Sequence, residues 1–264
     1  MKSNSHPIDK SRLRNEVSRR NRLLLRTKTF ANGYKISYRN DCELEVLYDD
    51  IFTKNIYFFE TENPAPHIID CGGHIGLAVL YFKSLYPRSR VLTFEPNPET
   101  FSLLNRNIAQ NSLDGVKAIN MALSHGDNED AILYVGENFL EAWDSTDTIE
   151  PDLWDNMDQY RGISVPSARL SSYINAKVEF IKLDIEGAEY DVLEESTAKM
   201  GSVGAITLEY HQSARNLAER KLEKTIALLS AAGFRHELYS QARPISLDSL
   251  PKDSVYQLIL RAIR

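Results

Sequence analysis

The chain has 264 residues, of which 42% are hydrophobic and 26% are charged, a composition typical of one large globular α/β domain. It has no apolar stretch near the roughly 18 residues of a transmembrane helix. Its N-terminus lacks the apolar core of a signal peptide, and its two cysteines are too few for a disulfide framework. A cytoplasmic protein without a membrane span is therefore expected.

The net charge of −6 is unevenly distributed along the chain. Residues 1–28 contain nine Lys or Arg and two acids, so this basic arm carries +7 and the other 236 residues carry −13. The arm could contact nucleic acid or an anionic membrane. Alternatively, it could form a solvated helix that packs on the acidic body or on the second subunit of a homodimer. The acidic body argues against a nucleic-acid substrate, which needs a basic face around the site.

The N-terminal part of the chain is predicted to be an extension that precedes the core. Residues 8–28 have the pattern of a polar helix, and strand-like runs follow at 34–38 and 43–47. We assign residues 1–60 to this extension and residues 61–264 to the main domain.

Short apolar runs alternate with helical patterns throughout residues 61–264. The predicted strands are Ile68–Cys71, Val91–Glu95, Val116–Met121, Ile132–Val135, Val178–Asp184, Ala205–Tyr210, Phe234–Tyr239 and Ser254–Arg261. The predicted helices are Leu77–Leu85, one that begins at Pro98 with Asn97 as its N-cap, Ala188–Lys199 and Ala214–Ala232. Such alternation predicts an α/β fold with a doubly wound, mostly parallel sheet and helices on both faces. Ligands of these folds bind beyond the C-terminal ends of the strands.

One segment, residues 136–165, breaks this alternation with acidic residues and the aromatic Trp143, Trp154 and Tyr160. Loops of this length inside a compact domain are often lids or binding elements, so we predict a lid insertion here. Its aromatic side chains could stack on an apolar or sugar ligand, or could form only the small core of the insertion itself.

The first predicted strand leads into a glycine-rich loop with glycines at 72, 73 and 76 and an acid at Asp70. Glycines let the backbone pass close to a ligand, and the next helix offers its N-terminal amides. A dinucleotide fingerprint has glycines at positions n, n+2 and n+5, a spacing that this loop lacks. Asp70 would repel a pyrophosphate but suits a cofactor with an ammonium and a sulfonium. A tight turn without a ligand is the alternative.

A second acid, Glu95, ends the next strand and precedes Pro96-Asn97-Pro98. A carboxylate at this position can accept hydrogen bonds from both ribose hydroxyls of a nucleoside. Taken alone, this motif would serve NAD equally well.

A third group of polar residues, from Lys182 to Glu189, places one lysine among three carboxylates at the end of a strand. Lys182 and Asp184 point to the same face of that strand, and acids at 186 and 189 favour the dipole of the next helix. The group is either a polar site tuned for function or a network of ion pairs that braces the sheet. We favour function for Asp184, at the strand tip.

His211 follows the strand Ala205–Tyr210, and it reaches the same crevice if that strand neighbours Val178–Asp184. An imidazole there can take a proton near neutral pH. The alternative is a surface histidine. No metal is expected, although Asp184 and Glu209 could together bind a divalent ion through oxygen atoms.

These motifs resemble those of the FkbM-like methyltransferases, a branch of the class I S-adenosylmethionine-dependent fold. The likeness rests on Asp70-Cys71-Gly72-Gly73-His74-Ile75-Gly76, Phe94-Glu95-Pro96-Asn97-Pro98 and Ile181-Lys182-Leu183-Asp184-Ile185-Glu186-Gly187-Ala188-Glu189. It covers roughly residues 50–264 and leaves residues 1–40 unexplained.

The resemblance implies a seven-stranded Rossmann-like methyltransferase sheet with S-adenosylmethionine as cofactor. Asp70 and the loop glycines would hold the methionine end of the cofactor, Glu95 the ribose, and residues 120–122 the adenine. The implied cofactor-binding residues are Asp70, Gly72, Gly73, His74, Gly76, Glu95, Pro96, Met121, Ala122 and Asp184. The chain departs from the family where His74 replaces a common asparagine and where Ser171 replaces a frequent aspartate.

By resemblance, the expected reaction is O-methylation of a hydroxyl on a small natural product or sugar. His211 or Asp184 would accept the hydroxyl proton. The alternatives are N-methylation of a small molecule, an NAD-dependent oxidoreductase that uses the same cradle, and a non-catalytic member that binds the cofactor, or a partner protein through its basic arm.

Overall fold

The computed structural model describes residues 25–126, 130–136, 146–151, 153, 160–240, 243–250 and 256–264. Most of the predicted N-terminal helix, Trp143 and Trp154 lie outside these residues, as does the part of the basic arm predicted to reach a second subunit. None of the helices in the described ranges is long and apolar enough to cross a membrane.

The N-terminal extension differs from its prediction in two places. Arg26–Thr29 is a strand (β1), not the end of a helix, and it pairs antiparallel with Lys35–Tyr38 (β2). Asp41–Tyr48 is a helix (α1), although residues 43–47 were expected to form a strand. The physical reason is Asn40, whose side chain accepts hydrogen bonds from the amides of Cys42 and Glu43 and so caps the helix. A single turn of π-helix, Asp49–Thr53, follows.

An eight-stranded sheet forms the centre of the main domain and confirms the predicted doubly wound fold. Its order is β12-β11-β13-β10-β9-β3-β4-β5. These strands are β3 (His67–Cys71), β4 (Arg90–Phe94), β5 (Val116–Ile119), β9 (Val178–Leu183), β10 (Val203–Gln212), β11 (Arg235–Ser240), β12 (Arg243–Ile245) and β13 (Tyr256–Ile263). The neighbours from β10 to β5 are parallel, whereas β13 lies antiparallel between β10 and β11. The short β12 adds an edge strand to the predicted seven.

Helices cover both faces of this sheet, and each face has its own hydrophobic core. The helices are α2 (Leu77–Leu85), α3 (Pro98–Gln110), α4 (Glu189–Ser196), α5 (Ala214–Ala218) and α6 (Lys221–Ala231). The extension packs with α2 and α3 on one face, and α4 and α6 cover the other. The single helix predicted over Ala214–Ala232 is interrupted because Arg220 adopts a left-handed φ of 55°. Residues 197–202, beyond α4, form a 3₁₀ helix.

A second, three-stranded sheet lies beside the C-terminal ends of the central strands. Its order is β6-β8-β7, formed by Ala122–Leu123 (β6), Asp130–Gly136 (β7) and Tyr160–Ala168 (β8). The strand predicted over Val116–Met121 therefore ends at Ile119 and restarts at Ala122 in the other sheet. The last part of the predicted insertion, from Tyr160, is a regular strand antiparallel to β7.

Candidate active site

A cavity opens at the C-terminal ends of β3, β4 and β9, where the strand order of the central sheet reverses. It encloses about 810 Å³, its open mouth included. Of the predicted cofactor-binding residues, eight line it: Gly72, Gly73, His74, Glu95, Pro96, Met121, Ala122 and Asp184. The fold thus brings together the motifs at residues 70–76 and 94–98 with the third motif, which lies more than 80 residues further along the chain.

The glycine-rich loop passes between the ends of two strands with no room for side chains. The amides of Gly72 and Gly73 donate to the carbonyl of Phe94, at 3.1 and 2.7 Å. A Cβ on Gly72 would lie 1.8 Å from the carbonyl oxygen of Asp184, and one on Gly73 would lie 2.2 Å from Thr93 Oγ1. Glycine is therefore required for the loop to form this floor of the cavity.

Glu95 is fixed at the tip of β4 by backbone donors. One carboxylate oxygen accepts from the amide of His74 at 2.9 Å, and the other accepts from the amide of Asn97 at 2.9 Å. Burial raises the pKa of Glu95 to about 8, although the two amides act in the opposite direction. The Glu95 side chain lines the cavity, where the sequence predicts the ribose. Next to it in the cavity lining is His74, whose Nε2 lies 3.6 Å from Glu43 Oε1.

Asp70 and Gly76 are not among the residues that line the cavity, and their contact with the cofactor stays a prediction. Asp70 is 0% exposed, and it accepts a hydrogen bond from Thr93 Oγ1 at 2.7 Å. Its other oxygen lies 3.4 Å from Lys182 Nζ. Gly76 lies at the N-terminus of α2, with a φ of 95°. Both residues therefore support the conformation of the loop without lining the cavity.

Lys182 connects the loop to the acidic wall of the cavity. Its ammonium donates to the carbonyl of Gly72 at 2.6 Å and lies 3.2 Å from Asp184 Oδ2. Burial alone would lower the pKa of Lys182, but the carboxylates of Asp184 and Asp70 raise it above its usual value. Lys182 is therefore charged and holds the loop against β9.

Asp184 and Glu209 are joined through the hydroxyl of Tyr57. This hydroxyl lies 3.1 Å from Asp184 Oδ2 and 3.3 Å from Glu209 Oε2. Burial, and then the charge of Asp184, raise the pKa of Glu209 to about 7. Burial raises the pKa of Asp184 as well, but Lys182 and His211 outweigh it and lower that pKa overall. The pair therefore offers one ionised carboxyl and one that titrates near neutrality.

His211 is 1% exposed, so the surface alternative is wrong. Its Nδ1 lies 3.0 Å from Glu189 Oε1, and its Nε2 lies 3.3 Å from Glu186 Oε2. Burial lowers the pKa of His211, but Glu186 and Glu189 raise it well above the usual value. An imidazole that is already protonated at neutral pH does not serve as a general base. Without a metal ion, the structure therefore favours the Asp184–Glu209 pair for that role.

The acid pair given as an alternative metal site, Asp184 and Glu209, stays a prediction. Among the described residues, the group with metal-ligand spacing consists of Asp184, Glu186 and His211, and Glu209 does not belong to it. Glu209 is oriented by Tyr57 instead.

Several site residues were not predicted because they come from outside the three motifs. Tyr57 and Leu47 belong to the extension, Leu133 lies on β7, and Asp147 and Ile149 lie within the predicted insertion. Asp147 accepts a hydrogen bond from the Asn97 side chain at 2.6 Å. No local sequence signal marks these residues, because only the tertiary fold brings them to the cavity.

The departure at Ser171 has a simple local explanation. The amide and hydroxyl of Ser171 both donate to the Glu195 carboxylate on α4. Ser171 is not among the residues that line the cavity.

Comparison with known proteins agrees with this arrangement. The family model described as "Methyltransferase FkbM domain" matches residues 70–236, more than half of the chain. The chain is 32% identical over 165 residues to "Methyltransferase 1" of Beauveria bassiana (strain ARSEF 2860), covering 57% of this chain and 66% of that protein. It is 29% identical over 182 residues to "Methyltransferase sdnD" of Sordaria araneosa, covering 58% and 68%. The alignments thus span about two thirds of each relative.

Among solved structures, methyltransferase FkbM from Methylobacillus flagellatus KT superimposes with a TM-score of 0.50 at 14% sequence identity. The superposition covers 84% of this chain and 55% of that one. At this identity the likeness concerns the fold alone.

Proposed function

The chain belongs to the FkbM methyltransferase domain family, and on that premise we propose that it methylates a hydroxyl of a small natural product or sugar. The methyl donor is S-adenosylmethionine, as the sequence predicts and the family match supports. The observation that carries the proposal is the proton-accepting pair of Asp184, which lines the cavity, and Glu209, which is joined to it through Tyr57.

The cavity suits this donor in shape and charge. Gly72 and Gly73 give a floor free of side chains for the methionine end, and Glu95 is placed to accept from the ribose hydroxyls. The remaining wall is largely apolar, as an adenine ring requires, with Met121, Ala122, Leu133 and Ile149. When bound, the donor supplies a methyl group whose C–S bond breaks, with its electron pair passing to sulfur, as the acceptor oxygen forms the new C–O bond.

The protein's own residues would align the acceptor and take up its proton. Asp184 lies at the wall of the cavity, where it can accept a hydrogen bond from an acceptor hydroxyl. Burial keeps the pKa of Tyr57 well above its usual value, so its hydroxyl stays protonated and can relay a proton between Asp184 and Glu209. Glu209 is the member of the pair with the higher proton affinity, so the acceptor proton would end there.

A labelling experiment tests the proposed reaction. Purified protein is incubated with methyl-labelled S-adenosylmethionine and matched pairs of small acceptors that differ only in a hydroxyl or an amine. We expect label in the hydroxylated members and stoichiometric release of S-adenosylhomocysteine. Label confined to the amines would establish N-methylation instead. Binding of NAD without binding of S-adenosylhomocysteine would support the oxidoreductase alternative.

The pH dependence of turnover tests the role of Glu209. Because the pKa of Glu209 is about 7, its carboxylate is ionised above that pH and is protonated as the pH falls through it. Turnover of the native protein should therefore fall about tenfold per pH unit below 7. Glu209→Gln should lower kcat at pH 8 by at least about 10²-fold and remove this acidic limb.

The matched control is Glu195→Gln, which changes a half-buried acid bonded to Ser171. It should keep the native pH profile. Native turnover in Glu209→Gln, with the acidic limb intact, would show that Glu209 takes no part in proton transfer.

A further inference from the structure

Three side chains, of which Asp184 and Glu186 line the donor cavity, have the spacing of ligands around a single metal ion. Asp184, Glu186 and His211 each offer an atom within 4.8 Å of the others. The imidazole Nε2 lies 3.3 Å from Glu186 Oε2. Ligand atoms about 2.1 Å from an octahedral ion are about 3 Å apart when adjacent and about 4.2 Å apart when opposite. The separation of the imidazole and Glu186 is therefore close to that of two adjacent ligands.

The imidazole is held in the orientation that metal-ligating histidines adopt. Its Nδ1 lies 3.0 Å from Glu189 Oε1, on the side of the ring away from Glu186. Glu189 is 0% exposed, and the same oxygen accepts from the amides of Ile185 at 3.2 Å and Gly187 at 3.0 Å. A carboxylate that anchors the second nitrogen of a ligating histidine is a recurrent feature of metal sites. It directs Nε2 towards Glu186.

Glu186 gives a second, independent indication of a ligand. Its backbone has a left-handed φ of 54°, which is strained for a glutamate and occurs often at functional sites. Apart from its contact with His211, its buried Oε2 receives no hydrogen bond from the described residues. Burying a carboxylate oxygen without a donor is costly. A cation bound between Glu186 and His211 Nε2 would take the place of the imidazole proton as the partner of this oxygen.

The charges around these three side chains also favour a cation. Four carboxylates lie close together, those of Asp184, Glu186, Glu189 and Glu209, against the ammonium of Lys182 and the ring of His211. Lys182 lies against Asp70 and Asp184, whereas Glu186 and Glu189 lie against His211.

We propose that Asp184, Glu186 and His211 bind one divalent metal ion at the edge of the donor cavity. One imidazole and two carboxylates suit Mn²⁺ and related first-row ions, with water or substrate at the remaining positions. Asp184 and Glu186 also line the cavity, so the remaining coordination positions of the ion would face the acceptor. The ion's role rests on the proposed function: it would bind the acceptor oxygen and lower the pKa of its hydroxyl. Glu209, which is not a ligand, remains the proton acceptor.

Direct binding of Mn²⁺ tests the site without any methyl transfer. The full chain is treated with a chelator, dialysed and titrated with MnCl₂, and free Mn²⁺ is followed by electron paramagnetic resonance. We expect one ion per chain. Glu186→Gln removes a ligand charge with almost no change of shape and should weaken binding by at least about tenfold. Glu189→Gln should weaken it about 10- to 100-fold through loss of the histidine anchor.

The matched control is Glu209→Gln, which removes a nearby acid that is not one of the three proposed ligands. It should change the affinity for Mn²⁺ by less than about threefold. Circular dichroism and thermal melting of each variant show whether it is folded. No binding of Mn²⁺ to the folded native chain, or equal binding by native protein and Glu186→Gln, would overturn the proposal.

A parallel titration with S-adenosylhomocysteine separates the two proposals. If the chain binds S-adenosylhomocysteine but does not bind Mn²⁺, only the metal site is refuted. If the chain binds Mn²⁺ but does not bind S-adenosylhomocysteine, the proposed methyltransferase function is refuted and the metal site is supported.

Discussion

The substitution Gly72→Ala should abolish measurable binding of S-adenosylhomocysteine. The added Cβ would lie 1.8 Å from the carbonyl oxygen of Asp184, far inside van der Waals contact, and both groups belong to backbone that is held by hydrogen bonds. The loop would have to move away from β9, and with it the floor of the cavity and the carbonyl that binds Lys182. Displacements of about 1 Å in an active site can also cost about 10²-fold in rate, so turnover should be lost as well.

Gly33→Ala is the matched control for this substitution. Gly33 has a φ of 87°, almost the same as the 89° of Gly72, but nothing lies within 4 Å of its Cβ position. Both variants therefore carry the same backbone strain of about 1–2 kcal/mol, and only Gly72→Ala carries the clash. Isothermal titration calorimetry measures the affinity, and circular dichroism establishes the fold. Native affinity in Gly72→Ala would show that the loop does not form the floor of the binding site.

The substitution Lys182→Met should lower the free energy of unfolding by about 3–5 kcal/mol. Lys182 is the cation that lies between two carboxylates, Asp70 at 3.4 Å and Asp184 at 3.2 Å, and Asp70 is fully buried. Methionine fills much of the same volume, but it leaves Asp70 as a buried charge without a cation. Urea denaturation followed by circular dichroism measures the effect.

Lys83→Met is the comparison that isolates the charge. Lys83 is 4% exposed and donates to two backbone carbonyls, those of Ser89 and Asp114, at 2.9 and 2.8 Å. Its loss should cost about 1–3 kcal/mol, the penalty of unpaired polar groups. Adding Asp70→Asn to Lys182→Met should restore part of the lost stability. Equal effects of the two lysine substitutions, with no gain from Asp70→Asn, would contradict a role for the buried ion pair.

The sequence predicts the fold of the main domain well, because its signals are local and repeated. Glycines at 72, 73 and 76 follow a buried strand, and Asn97-Pro98 starts a helix in the expected way. In the extension, α1 was predicted as a strand because its run of apolar residues is short. The decisive feature is Asn40, whose capping oxygen makes the helical alternative more stable.

The site could be predicted only in part, because its chemistry depends on contacts between distant segments. Asp184 and Glu95 occupy strand ends and are recognisable from their motifs. His211 is different: its proton affinity is set by Glu186 and Glu189, which approach it only after β10 pairs with β9. Tyr57 could not be predicted at all, since it reaches Asp184 from 127 residues away.

The pairing of β13 has a practical consequence for anyone who designs shortened forms of this protein. The family match ends at residue 236, yet β13 lies between β10 and β11 and pairs with both. A fragment cut to the match would lose β13, β12 and nearly all of β11, and it would expose the edge of β10, a ready template for aggregation. It would also begin after Leu47 and Tyr57, and so lose one wall of the site. Expression boundaries should therefore follow the strand order in space and not the extent of the sequence match.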